Sequence, residues 1–274
     1  MINIIHSLIT GVVQGITEFL PISSSAHLVL LPYIFGWKYQ GLIMDVALHF
    51  GTVIALLAFF WRDWVAIFQQ LFKIRGRKKD IIDSLHTEFE LPKNFFWQII
   101  LATIPAGIAG FLLQDKVEQY FHSPFLIAIN LGIFGLALWL VDYKAKQDKK
   151  IEKITFKQSF LIGVAQCLAL VPGVSRSGIT MLASRGAGLN RSDAARFSFL
   201  LGTPAMIGAF ILEIRKIDIS SLDLAFILSV AVSAIAGFLA IKYLLNYLRK
   251  ADFRFFAYYR LVLAIIVIII SMLR

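Results

Sequence analysis

"GVVQGITEFLPISSSAH", residues 11–27, begins as apolar helix and ends in three consecutive hydroxyls and a histidine. Apolar residues resume at once as "LVLLPYIFGW", 28–37. Polar and ionisable groups are costly at membrane depth, so Glu18 and the cluster after it need a reason to be there. A second stretch, "GVAQCLALVPGVSRSG" at 163–178, repeats the first at a shift of 152 residues. Gly11 falls on Gly163, Gln14 on Gln166, Ser23 on Ser175 and Ser25 on Ser177. Further on, "FGTVIALLAFF" (50–60) falls on "LGTPAMIGAFI" (201–211), and "IAGF" occurs at both 108–111 and 235–238. Two copies in the same order are the mark of an internal duplication. The charged segment "DYKAKQDKKIEK" (142–153) is the joint, giving repeats of about 1–145 and 151–274 within one polytopic domain.

The 274 residues are 58% hydrophobic and only 16% charged, against about a quarter in soluble domains. The reading is an integral membrane protein. The net charge of +10 is assigned to cytoplasmic loops, and no nucleic-acid surface is implied. One cysteine, Cys167, excludes an internal disulfide and a cysteine-based metal site. The N-terminus lacks a basic leader and a cleavage signature, and reads as mature protein.

Spanning a bilayer takes about 20 apolar residues. Six segments qualify: 43–61, 95–114, 124–141, 194–214, 223–245 and 254–273. Regions 3–36 and 158–186 are apolar but broken by "LPISSSAH" and "VPGVSRSG". Proline and glycine stop the helix, and hydroxyls can take up the freed backbone groups. Non-helical backbone at this depth must be enclosed by protein, so each region reads as a re-entrant helical hairpin. The expected fold is all-α, with six transmembrane helices and two such hairpins in an inverted repeat. Segments 62–94, 142–157 and 246–254 hold sixteen Lys and Arg; 115–124 and 215–222 hold three. That asymmetry puts the first group in the cytoplasm, opens the first hairpin outward, and brings both tips to the midplane.

The first tip carries Gln14, Glu18, Ser23, Ser24, Ser25 and His27; the second carries Ser175, Arg176, Ser177, Gly178 and Thr180. A guanidinium beside hydroxyls and glycine amides makes an anion cradle suited to phosphate. Glu18, with Gln14 one turn earlier, could hold a divalent cation alongside substrate phosphates. A histidine near serines supplies a base or an acid. Together these are parts for phosphoryl transfer. Other roles stay open: Ser23 and Ser25 as helix caps, Arg176 as a counter-ion of Glu18, His27 as an interfacial hydrogen-bonder. Asp45 is either a helix-start charge or a support for the site. His6, His49, His86 and His122 have no comparable company.

"QGITEFLPISSSAH" and "LVPGVSRSG" resemble the two signature motifs of the bacterial undecaprenyl-pyrophosphate phosphatase family, and the likeness runs along essentially the whole chain. The resemblance implies removal of the terminal phosphate of undecaprenyl diphosphate, which regenerates the lipid carrier for peptidoglycan and other envelope polymers, and with it bacitracin resistance. It implies magnesium or calcium, a bacterial inner-membrane location and homodimers. Catalytic roles fall on Ser24, His27, Glu18 and Arg176, and phosphate contacts on Ser23, Ser25, Ser175, Ser177, Gly178 and Thr180. The metal falls on Glu18 and Gln14, where many members have a second carboxylate, and Asp45 stands behind them. Ser24 precedes His27 by three residues, so both lie on one helical face, and Ser24 is read as nucleophile with a phosphohistidine as the rival. The site is expected to open to the extracytoplasmic face. An acid-phosphatase-type reading fails because no Arg-Pro dipeptide is present. A lipid carrier or flippase of inverted-repeat type is the alternative from another class.

Overall fold

The computed structural model describes residues 4–37, 41–72, 91–121, 123–145, 149–215 and 223–273. His86 and His122 lie outside them. The described residues are helical, apart from turns and one isolated bridge between Lys149 and Leu189. Among the described residues, six helices are long and apolar enough to cross a membrane: α3 (Leu42–Phe59), α5 (Phe95–Phe121), α6 (Pro124–Lys144), α9 (Arg191–Ile214), α10 (Leu224–Leu248) and α11 (Arg254–Leu273). They make this a multi-pass membrane protein, and they match the six apolar segments within a few residues.

The broken regions are α1 (Ile4–Phe19) with α2 (Ser24–Phe35), and α7 (Phe156–Gln166), a short 3-10 turn, then α8 (Arg176–Gly186). At 1.5 Å per residue α1 is about 24 Å long and α7 about 16 Å, short of a hydrocarbon core of roughly 30 Å. One further helix, α4 (Trp61–Leu71), stands where the sequence suggested only a charged loop. Its Asp63 is buried and ion-paired with Arg196 of α9, a long-range contact that local pattern does not reveal.

Both breaks adopt the same local geometry. Ser23 and Ser175 each sit at φ 75°, a left-handed conformation that serine rarely takes. Each hydroxyl then caps the helix that follows: Ser23 Oγ accepts from Ala26 N at 3.4 Å, Ser175 Oγ from Gly178 N at 3.1 Å. A second hydroxyl two residues on lies 3.2 Å from the first in both cases, Ser25 and Ser177.

Close contacts fix where the short helices lie. α1 packs along α10 in the same direction, Gly11 against Val232 and Gly15 against Ala236 and Gly237. A Cβ on Gly15 would stand 2.6 Å from the Ser233 carbonyl, so nothing larger fits. α3 follows α10 too, with Ser233 Oγ donating to the Leu48 carbonyl at 2.7 Å. In the same way α7 packs along α5, Gly163 against the Ala102 backbone. α6 and α11 run antiparallel, pairing Gly135 with Arg260 and Gly132 with Ala264.

Arg260 is fully buried and ties the two breaks together. Its guanidinium donates to the carbonyls of Pro21 (3.2 Å), Gly173 (2.8 Å), Val174 (3.1 Å) and Leu131 (3.1 Å). Carbonyls released where helices stop must find donors inside the protein, and one planar fork reaches both sets. At the far end of α6, Asp142 is buried and gathers Arg185, Arg191 and the Phe253 amide. The main core is aromatic, with Phe19, Phe60 and Phe199 in ring contact.

Arg260→Met keeps the bulk and removes every donor. Each stranded buried carbonyl costs roughly 1–3 kcal/mol, so a clear fall in the thermal unfolding midpoint in detergent is expected. An unchanged midpoint would contradict the clamp.

Candidate active site

Glu18 occupies the last turn of α1, and the backbone turns at Leu20–Pro21 so that α2 starts directly beside it. Ser24, the first residue of α2, donates its hydroxyl to Glu18 Oε2 at 2.5 Å. Gln14, one turn back on α1, donates to the same oxygen at 3.1 Å. From the other break comes Arg176, the first residue of α8, whose Nη2 meets Glu18 Oε1 at 2.8 Å. The 152-residue shift that superposes the two motifs also places Ser24 on Arg176. One carboxylate therefore joins the same position of both copies.

Glu18 is buried and Arg176 largely covered, with 8% and 14% of their side chains exposed. Desolvation makes an isolated charge there expensive, and the opposite charge with its hydrogen bonds offsets that cost. Arg176 Nη2 also lies 2.7 Å from Met206 Sδ of α9, and its Nη1 rests on Gly202, where any Cβ would collide with the guanidinium. A second tie between the breaks is Ser177 Oγ, which donates to the Leu20 carbonyl at 3.0 Å.

His27 lies one turn into α2 and is buried. Its Nδ1 is 2.7 Å from the Ser23 carbonyl, and its Nε2 is 2.7 Å from the Tyr259 hydroxyl of α11. The Ser23 carbonyl can only accept, so Nδ1 carries the proton and Nε2 accepts from Tyr259. Ser24 and His27 share a face as their spacing predicts, yet the Ser24 hydroxyl is directed to Glu18.

The remaining hydroxyls are engaged in structure. Ser23 and Ser175 cap α2 and α8, the Gly178 amide is taken by Ser175, and Thr180 Oγ1 lies 2.6 Å from Ser198 Oγ of α9 and bonds the Arg176 carbonyl. Ser25 is exposed. Asp45 and His49 lie one turn apart on α3 and line a cavity of about 310 Å³ with Met206 and Glu213. Through Met206 this cavity adjoins Arg176. His49 thus has company that its sequence neighbours do not reveal, because its partners come from α9. Tyr259, Met206 and Gly202 are likewise supplied by distant helices; "FLLGTPAM" offered the only hint of the last two.

Among the described residues, no group of three or more His, Cys, Asp or Glu side chains could hold a metal ion. The oxygen atoms at hand are the Glu18 carboxylate, the Ser24 hydroxyl and Gln14 Oε1, which is buried with no partner among the described residues. These are hard donors. They suit magnesium or calcium shared with a substrate's phosphates, and not a cage built from protein alone.

Residues 7–266 match the family model described as "Bacitracin resistance protein BacA". The chain is 43% identical to the "Undecaprenyl-diphosphatase" of Pelotomaculum thermopropionicum over 99% of this chain and 98% of the relative. It is 43% identical to that of Desulforudis audaxviator, covering 99% of each chain. The same identity holds for the protein of that name in Thermodesulfovibrio yellowstonii over the full length of both chains.

Removing either half of the central pair strands a buried charge, at a cost of roughly 3–5 kcal/mol. Glu18→Gln and Arg176→Met should each lower the unfolding midpoint, and the double variant should recover most of the loss. Strict additivity across that cycle would mean that the two side chains do not interact.

Proposed function

Because the chain belongs to the bacitracin resistance protein BacA family, we propose that it hydrolyses undecaprenyl diphosphate to undecaprenyl phosphate and inorganic phosphate. The single observation carrying the mechanism is Glu18 held between Ser24 and Arg176. The terminal phosphate of the lipid enters between the two helix starts, and its oxygens draw the Arg176 guanidinium from Glu18. Glu18 Oε2, which already accepts the hydrogen bond of the Ser24 hydroxyl, is placed to take its proton. Ser24 Oγ attacks the terminal phosphorus as its proton passes to Glu18, and the bond to the bridging oxygen breaks. Undecaprenyl phosphate leaves with the electron pair of that bond. Water then attacks the phosphorus of the phosphoserine and the Ser24 Oγ–P bond breaks; Ser24 takes back the proton held on Glu18, and the water's oxygen and protons leave with inorganic phosphate.

Arg176 stays with the phosphoryl oxygens throughout, where a planar guanidinium gives two-point contact. His27, with its Nδ1–H on the Ser23 carbonyl and Nε2 on Tyr259, orients the start of α2 and exchanges protons with the lipid monophosphate by way of the Tyr259 hydroxyl. Glu18 and Gln14 Oε1 would hold a divalent cation of the magnesium or calcium type. When bound it neutralises phosphate-oxygen charge. A lipid substrate suits a pocket reached through apolar walls, and release of carrier lipid fits the family's bacitracin resistance.

The setting we infer is a pair of re-entrant hairpins from two inverted repeats, about 1–145 and 151–274, in one domain. The parallel placement of α1 on α10 and of α7 on α5 supports it, as do the twin left-handed serines. With sixteen Lys and Arg against three on the opposite connections, the α1–α2 hairpin opens to the extracytoplasmic side of the bacterial inner membrane.

Protein purified in detergent should release phosphate from undecaprenyl diphosphate, and a chelator should stop it until magnesium or calcium is returned. Ser24→Ala and Gly202→Ala should each lower kcat at least about a hundredfold, the first by removing the nucleophile and the second by evicting the guanidinium. Full activity in Ser24→Ala would move the nucleophile to His27 or to water, and trapping the phosphoenzyme would tell which. Lipid translocation without phosphate release would assign the protein to the carriers instead.

Sidedness has its own check. Single cysteines replacing Ser123 and Lys250, both exposed, should react with an impermeant maleimide from outside and from the cytoplasm respectively. The reverse pattern would invert the topology.

A further inference from the structure

α1 stops at Phe19, level with Gly237 of α10, whereas α10 continues to Leu248. The space beyond the tip of α1 is walled by the last turns of α10 and the first turn of α11. It forms one continuous apolar recess. A cavity of about 660 Å³ runs along α10 from Val232 to Tyr247, and a smaller one of about 320 Å³ reaches Ile22, His27 and Tyr259. The two share Val12, Ile16, Leu20, Phe255 and Phe256, so they form one recess that starts beside the last two turns of α1 and continues past its tip. Tyr243 is 65% exposed along its wall.

We propose that this recess seats the prenyl chain of the substrate, carrying it past the membrane midplane into the leaflet opposite the mouth of the α1–α2 hairpin. The inference rests on the hydrolase reading and adds the route of the chain and the basis for chain-length selection. Continuity carries it. A diphosphate held at the starts of α2 and α8 has its first isoprene units beside His27 and Tyr259, where the smaller cavity begins. Past the tip of α1, level with Gly237, the recess extends about 15 Å along α10 to Tyr247, at 1.5 Å per residue. A wall of leucine, phenylalanine and tyrosine side chains carries no charge for a headgroup and suits hydrocarbon. The device follows from the fold, since a helix that turns back halfway leaves the other half of the bilayer's depth beneath it to be filled. A long chain reaches Tyr243 and Tyr247; a farnesyl chain ends nearer the tip of α1.

The test compares undecaprenyl diphosphate with farnesyl diphosphate in detergent micelles. Tyr243→Ala and, separately, Tyr247→Ala should raise KM for the long substrate about fivefold, with its kcat and both constants for farnesyl diphosphate unchanged. Equal effects on the two substrates, or none on either, would overturn the proposal. A benzophenone side chain at position 243 gives a readout independent of turnover. In nanodiscs it should capture added undecaprenyl diphosphate in preference to the surrounding phospholipid, and capture of phospholipid alone would refute the route. If the unaltered protein releases phosphate from neither diphosphate, the hydrolase reading fails, while the capture result still decides whether a prenyl chain occupies the recess.

Discussion

A carboxylate and a guanidinium enclosed by apolar helices must meet or neither is tolerable. Glu18 comes from the end of α1 and Arg176 from the start of α8, separated by 158 residues of chain. Neither can be buried alone without a cost of several kcal/mol. Their 2.8 Å contact therefore constrains the whole assembly, because both broken helices must bring their tips to one point. The same contact keeps the guanidinium beside the Ser24 hydroxyl. In the proposed reaction the pair that folding requires is also the pair that does the chemistry.

The two interrupted helices raise a second demand, the backbone carbonyls that helix breaks release. Arg260 answers it from both sides, with donors on Pro21 at the first break and on Gly173 and Val174 at the second. It has carbonyl partners in place of a carboxylate, which suits its role as scaffold. Ser23 and Ser175 meet the demand on the amide side by capping α2 and α8. The left-handed backbone of both serines costs on the order of 1–3 kcal/mol each, and such strain persists where the surroundings over-determine it. Here it aims the first residue of each following helix, Ser24 and Arg176, at Glu18.

Small residues make the arrangement compact enough to work. Gly15 and Gly163 allow α1 and α7 to lie directly on α10 and α5, and Gly202 leaves the space that the Arg176 guanidinium fills. A helix that ends midway can be held only by its flanks, and close backbone approach supplies that grip through dispersion contacts. The same early ending lets the apolar recess beside α1 continue past its tip.

Much of this was legible before any coordinates. Twenty-residue apolar runs report membrane spans because the bilayer core has a set thickness, and the six segments agree with the helices within a few residues. The duplicated motifs marked both breaks, and an ionisable group inside hydrocarbon drew attention to Glu18 and Arg176. Tertiary structure alone decided what each group faces. The Ser24 hydroxyl points to Glu18 while His27 faces Tyr259, and helical spacing could not choose between them because it fixes a shared face and not a hydrogen-bond partner. Met206, Gly202, Tyr259 and Arg260 join the site from helices far along the chain, and α4 is anchored through Asp63 to Arg196. Periodicity is a local property read within a few turns. Contacts between distant helices depend on how their surfaces pack, and that is settled only when the whole chain has folded.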